Sequence, residues 1–157
     1  MTLAAMLMSF IFPACAAAGA AGVPPAAQFD LARLERPKSP NSALLAPAGI
    51  GPAPDIAAPL FAVPPEALYQ ALTRVAQSAP RTTLQLANNT RHEAHYVARS
   101  AVFNFPDLVT IAVQPDGAGS RPIIYSRSLY GRSDFDVNRR RIATWLARLP
   151  AALAEHP

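Results

Sequence analysis

The sequence predicts an α+β domain: a four-stranded antiparallel meander with two helices on one face, in the order α-β-β-β-β-α, behind a proline-rich extended arm. Three observations carry this. Apolar, β-branched runs between residues 81 and 130 are separated only by short turns, so consecutive strands should pair as neighbours. Apolar residues recur at helical spacing before and after those runs. Prolines crowd the chain from residue 24 to residue 65, where they oppose helix and sheet alike.

The elements follow in order. Residues 1–22 carry no charged side chain, and an apolar run from Leu3 to Pro13 has signal-peptide length. Ala14, Ala16, Ala18 and Ala20 then offer small-x-small cleavage choices. This reads as a signal peptide, although no Lys or Arg precedes the run, and it gives a periplasmic or otherwise exported address. Pro13, Gly19 and Gly22 leave the run well short of the roughly 20 apolar residues a spanning helix needs, so any membrane attachment would be an anchor through this N-terminal segment. Cys15 is the only cysteine, and Phe12-Pro13-Ala14-Cys15 faintly matches a lipoprotein box; lipidation there is the alternative to cleavage beyond it. Without Cys15 the chain has no thiol.

Residues 23–64 read as an extended arm with one helix, around 29–36. Prolines at 37, 40, 47, 52, 54, 59, 64 and 65 exclude any regular element between them. Leu44, Leu45, Ile50, Ile56, Leu60 and Phe61 punctuate the arm, which therefore lies on the domain rather than swinging free. Residues 65–150 form the α+β domain and 151–157 a flexible tail holding His156. Its first helix spans 65–77, with Pro65 at the first position and Leu68, Leu72, Val75 and Ala76 on one face. Strands are expected over 81–87, 92–102, 108–113 and 121–130, with a turn at 104–107 and a hairpin at 115–120. The last helix starts at Ser133 as N-cap, with Asp136 completing a capping box; Phe135, Asn138, Ile142, Trp145 and Leu149 follow at helical spacing, and Pro150 stops it.

Composition narrows the function classes. The 157 residues suit one domain with an extension. Hydrophobic residues make up 51%, net charge is +4, and Lys38 is the only lysine. Arginine forks suit carboxylate or phosphate, so the composition admits an anionic small molecule or an envelope protein as partner. Arg139-Arg140-Arg141 is too short a basic run for nucleic acid. His92 and His95 should point to opposite strand faces and find no third ligand, so no metal and no cofactor are expected. The Gly117 and Gly119 turn lacks the Lys-Ser/Thr ending of a phosphate loop. Ser126 and Ser128 share a strand face but sit in no nucleophile elbow.

The candidate ligand site is the corner where the last strand turns through Gly131 into the last helix: Arg99, Ser126, Arg127, Ser128, Tyr130, Ser133, Asp134, Asn138 and Arg139. Arg99 and Arg127 share their parity with Val97, Ile123 and Tyr125, which would place them on the helix-covered face. There they would clamp Asp134 or Asp107, or hold an anion at the helix start. Ser126, Ser128 and Tyr130 have the opposite parity, so both sets converge only if the strand bulges. With no catalytic constellation, the expected role is a non-catalytic binding or structural module of the cell envelope. The alternatives are an envelope hydrolase using Ser126 or Ser128 and a lipoprotein subunit of a larger envelope complex.

Pro40-Asn41, Arg99-Ser100, Phe105-Pro106-Asp107, Ser126-x-Ser128 and Gly131-x-Ser133-Asp134-x-x-Val137-Asn138-Arg139 together resemble the domain of unknown function 1499 family, over about residues 37–149. The resemblance implies a bacterial-envelope or chloroplast setting and brings no defined reaction. Three positions depart from it: Ser42 stands where many members carry Cys, Asp136 where many carry Gly, and Leu129 where many carry Arg.

Overall fold

The structure is a computed structural model that describes residues 13–155. The Leu3–Pro13 run of the expected signal peptide and His156 lie, but for Pro13, outside the described residues. A single sheet organises the chain. Its strands are β1 (Ser42–Ala46), β2 (Ile56–Ala57), β3 (Thr82–Asn88), β4 (Glu93–Arg99), β5 (Pro106–Asp116) and β6 (Gly119–Ser128), in the spatial order β2-β1-β6-β5-β4-β3. Helix α1 (Pro65–Gln77) follows β2, and α2 (Val137–Ala154) follows β6.

The expected four-stranded antiparallel meander is therefore corrected to a six-stranded mixed sheet. β1 pairs antiparallel with β6, through Ser42 opposite Arg127 and Leu44 opposite Tyr125, and parallel with β2. Both extra strands come from the proline-rich stretch that was expected to hold no regular element. Prolines flank these strands without entering them: Pro40 and Pro47 bracket β1, and Pro54 and Pro59 bracket β2. Proline disrupts a ladder only at the position it occupies, so five residues between two prolines still make a strand. The helix expected around 29–36 is one 3-10 turn, Leu31–Arg33, capped by Asp30.

The hairpin joining β5 to β6 sets the register of the sheet. Asp116 lies opposite Gly119, with Gly117 at φ +58 in the turn. Gly119 is required for a second reason: a Cβ there would sit 2.2 Å from the Phe61 carbonyl oxygen, where the 58–63 stretch bridges to Ser120. This register places Thr110 opposite Tyr125 and Val109 opposite Ser126. β4 continues the rows, with His95 opposite Thr110 and Tyr96 opposite Val109.

The two faces of the sheet differ in cover. Ala43, Leu45, Tyr96, Val109, Ile111 and Ile124 meet Leu68, Leu72, Ile142, Trp145 and Leu149 of the helices in the main core. Leu44, Ala46, Ile123 and Tyr125 point the other way and meet Leu31, with Phe29, Leu34 and Ile50 against them. That second face is covered by residues 13–36, in irregular conformation.

The last helix begins later and ends later than expected. Ser133 does not cap it. Asp134 does, accepting from the backbone N–H groups of Asp136 and Asn138, and α2 starts at Val137 after Phe135 and Asp136 take positive φ. Pro150 lies inside α2, on its exposed side, and the helix runs on to Ala154, through most of the expected tail. The missing proline N–H leaves one carbonyl without its helical donor, a loss water can repair on an exposed face.

Candidate functional site

Three polar clusters occupy this framework. The first is the corner singled out by sequence. Asn138, fully buried on the first turn of α2, donates from Nδ2 to the Asn41 carbonyl, Ser128 Oγ and Asp134 Oδ2. Its Oδ1 accepts from Ser126 Oγ and from Arg141 Nη1 at 2.7 Å. Arg141 also donates to Ser126 Oγ at 2.8 Å and to Asp107 Oδ2 at 2.6 Å. Asn41 closes the ring by donating to the Gly131 carbonyl. Nearly every group here is buried and bonded, which is how a sheet, a strand end and a helix start are fixed to one another.

This corner holds Ser126, Ser128, Asp134 and Asn138 together, as the candidate list supposed. Ser133 only accepts from the Phe135 N–H, Tyr130 is half-buried beyond β6, and Arg139 is exposed on a shallow depression with Arg36, Asp55 and Asp136. Arg99 and Arg127 do not belong here. Both lie on the arm-covered face, opposite the serines, so their expected position under the helices is corrected. The alternation is as expected, but its apolar partners belong to the other layer: Val97, Ile123 and Tyr125 are apolar because the arm buries them. Arg141 takes the part imagined for Arg127. Its signal was present in the sequence, three residues after Asn138 on the same helical face.

The second cluster lines a cleft of about 400 Å³ between the sheet and residues 24–35. Its floor includes Leu108, His95, Thr110, Tyr125 and Arg127, and its roof includes Pro24, Gln28, Phe29 and Leu34. His95 Nε2 lies 2.8 Å from Glu93 Oε1, and its Nδ1 lies 3.1 Å from Thr110 Oγ1. With Nε2–H donating to the carboxylate, the neutral ring accepts the Thr110 hydroxyl proton at Nδ1. Glu93 is 4% exposed and also accepts from the Phe29 backbone N–H, which ties the arm to the sheet. Tyr125 is 6% exposed, and its hydroxyl makes no hydrogen bond of ordinary length. Burial raises its pKa, while Arg127, Ser42 and Arg36 nearby oppose the rise. Arg127 forms no ion pair among the described residues. The row His95–Thr110–Tyr125 required the hairpin register to become visible. No group of His, Cys, Asp and Glu able to hold a metal occurs among the described residues. His92 is not in β4 and pairs with Glu66 at 2.9 Å.

The third cluster is Arg99 with Asn104. Arg99 is 6% exposed and gives its donors to the carbonyls of Ala14, Gly19, Ala21 and Asn104. Asn104 donates to the carbonyls of Cys15 and Ala17. Cys15 is buried by this arrangement; desolvation raises its thiol pKa, with Arg99 opposing.

Among solved structures, the chain is similar to the crystal structure of Ara h 8.0201 at 9% identity, covering 62% of this chain and 91% of that one, with a TM-score of 0.46. It is also similar to the crystal structure of TTHA0849 from Thermus thermophilus at 11% identity, covering 73% and 92%, with a TM-score of 0.34. No curated protein matches it. The family model described as "Protein of unknown function (DUF1499)" matches residues 33–149, which include the Asn41–Ser126–Asn138 corner, His95 and Arg99. The chain belongs to the DUF1499 family.

Proposed function

We propose that this protein is an exported, non-catalytic binding module of the bacterial envelope, and that its ligand sits in the cleft between the arm and the sheet. One observation carries the reading. Tyr125 lines that cleft, and its buried hydroxyl makes no hydrogen bond of ordinary length among the described residues; burying a polar group unpaired is costly unless something else pairs with it. Leu108, Phe29 and Leu34 supply apolar walls, and Arg127 supplies a cation that has no ion pair among the described residues. A small, partly apolar molecule with an acidic or hydrogen-bonding end suits that lining. The exported address rests on the uncharged, apolar first residues. Intact-mass measurement of a periplasmic fraction should show a chain that begins between residues 16 and 28; a full-length cytoplasmic product sinks that part.

Native mass spectrometry of the gently purified protein tests the cleft. A bound small-molecule mass is expected on wild type and should be lost from Tyr125→Phe combined with Arg127→Gln. No bound mass, together with no thermal response to acidic amphiphiles, rejects the reading.

The hydrolase alternative takes a different form from the one the sequence suggested. Ser126 and Ser128 are bonded into the α2 corner, whereas the hydroxyl within reach of His95 is that of Thr110. Hydroxyl, imidazole and carboxylate then stand in the order of an activated nucleophile. Labelling of Thr110 by a fluorophosphonate, abolished in His95→Gln, would favour this over the binding module.

A further inference from the structure

The third cluster has an unusual charge balance. Arg99 is a buried cation, yet no carboxylate among the described residues pairs with it. Its partners are neutral carbonyl oxygens, and three of the four belong to residues 14–21. Asn104 turns its amide on the same stretch, so the carbonyls of Ala14, Cys15, Ala17, Gly19 and Ala21 all converge on two side chains. Arg81 lines the same hollow, with Thr83. Neutral acceptors satisfy the hydrogen bonds of a guanidinium but leave its charge uncompensated. A carboxylate or phosphate does both, in the two-pronged geometry the guanidinium fork matches.

The covering stretch is poorly suited to holding on by any other means. Residues 13–22 are alanine and glycine apart from Pro13 and Cys15, so they bury little apolar area. Their conformation depends on Gly19 and Gly22 at φ +57 and +73. Arg99 and Asn104 lie inside the family-matched residues, and the stretch that fills them lies outside. We propose that Arg99, Asn104 and Arg81 form a binding site for a small oxyanion, a carboxylate or phosphate group, and that residues 14–21 mask it by occupying the donors with backbone carbonyls. The mask and the anion compete for the same N–H groups, so the site is closed in the full-length precursor and opens when the stretch leaves, as it does when the leader proposed above is removed. This site is separate from the cleft proposed above, since Arg99 lines the hollow beside Thr83 and not the Tyr125 cleft.

The test uses the full-length, unprocessed chain, as wild type and as a variant carrying Gly19→Val and Gly22→Val. Valine is strained at both positive φ values, and a Cβ at residue 22 would meet the Ala17 Cβ at 3.0 Å, so the stretch should unseat. Sodium phosphate and sodium acetate are the probes, each against chloride at equal ionic strength. The unseated variant should gain about 3–5 °C in melting temperature at saturation in at least one of them, from selective binding to the native state. Wild type should gain much less, and Arg99→Gln added to the unseated variant should remove the gain. An unseated variant that responds to neither anion, or a response that survives Arg99→Gln, overturns the proposal. Should the double-valine chain not fold, hydrogen exchange on wild type decides: phosphate should speed exchange in residues 14–22 relative to chloride, and unchanged exchange overturns the proposal.

Discussion

On one face of the sheet, two helices close the core; on the other, an irregular arm does. The difference lies in what each cover demands of the strands beneath it. A helix satisfies its own backbone, so α1 and α2 present only side chains, and the strands answer with Tyr96, Val109, Ile111 and Ile124. Residues 13–36, which cover this face, form no ladder among themselves, and their N–H and C=O groups need partners from the sheet. Glu93 accordingly accepts from Phe29, Gln85 donates to Pro24, and Arg99 and Asn104 collect the carbonyls of residues 14–21. Side chains able to bind a backbone can also bind a ligand, and the arm leaves a cleft against the sheet. On the reading proposed above, the helix face is the structural one and the arm face the one that binds.

The largest expected effect lies on the helix face. Trp145 is 3% exposed and packs edge-on against Tyr96. Trp145→Ala should destabilise the fold by about 3–5 kcal/mol, read by circular dichroism during urea unfolding. A loss below about 1 kcal/mol would remove the contrast between the faces.

A pair of arginines sharpens it next. Arg141→Ala strands the buried Asp107 carboxylate and should cost about 3 kcal/mol, toward the lower end for a broken buried pair because Arg141 retains some exposure. Arg127→Ala, on the arm face and with no ion pair among the described residues, should stay within about 0.5 kcal/mol. Equal losses in the two would mean that Arg127 is architecture as well.

This pair also shows how far the sequence could be read. Alternation correctly separated Arg99 and Arg127 from Ser126 and Ser128, and the Gly131–Arg139 segment pointed to a real convergence of Ser126, Ser128, Asp134 and Asn138. Which face the helices cover was not legible. Apolar residues occupy both parities of β4 and β6, because the arm buries the second set. The arm's two strands escaped notice for a related reason. Proline density argues against long elements, and β1 is short enough to fit between Pro40 and Pro47, supported by its long-range pairing with β6. The third cluster was beyond reach, since contacts between residues 14–21 and Arg99 span about 80 positions and carry no periodic signal.

A pH effect separates the faces again, through tyrosines. Tyr96, fully buried on the helix face, has its pKa pushed up to about 12, first by burial, with Tyr69 adding to the rise and Thr73 opposing it. An unfolded tyrosine titrates near 10. The fold therefore favours the neutral phenol, a contribution fully present below about pH 10 and lost as pH climbs through 12. Tyr96→Phe should flatten the decline in stability across that window in alkaline unfolding curves. An unchanged slope would mean that Tyr96 ionises no later folded than unfolded.

The smallest expected effect tests the face proposed to bind. Tyr125→Phe removes a buried hydroxyl that has no bond of ordinary length to lose. Deleting a hydrogen-bonded hydroxyl typically costs about 1 kcal/mol, whereas deleting an unsatisfied one is neutral or slightly stabilising, because its desolvation penalty disappears with it. The ring keeps its place opposite Leu44 and near Phe29, so packing is unchanged. Urea unfolding of the ligand-free protein should show Tyr125→Phe within about 0.5 kcal/mol of wild type, on either side. If the hydroxyl is instead a structural tie to Ser42 or Arg36, the variant will lose about 1 kcal/mol or more. The Tyr125 hydroxyl would then be satisfied without a ligand, and the cleft would lose the polar group that makes it a site.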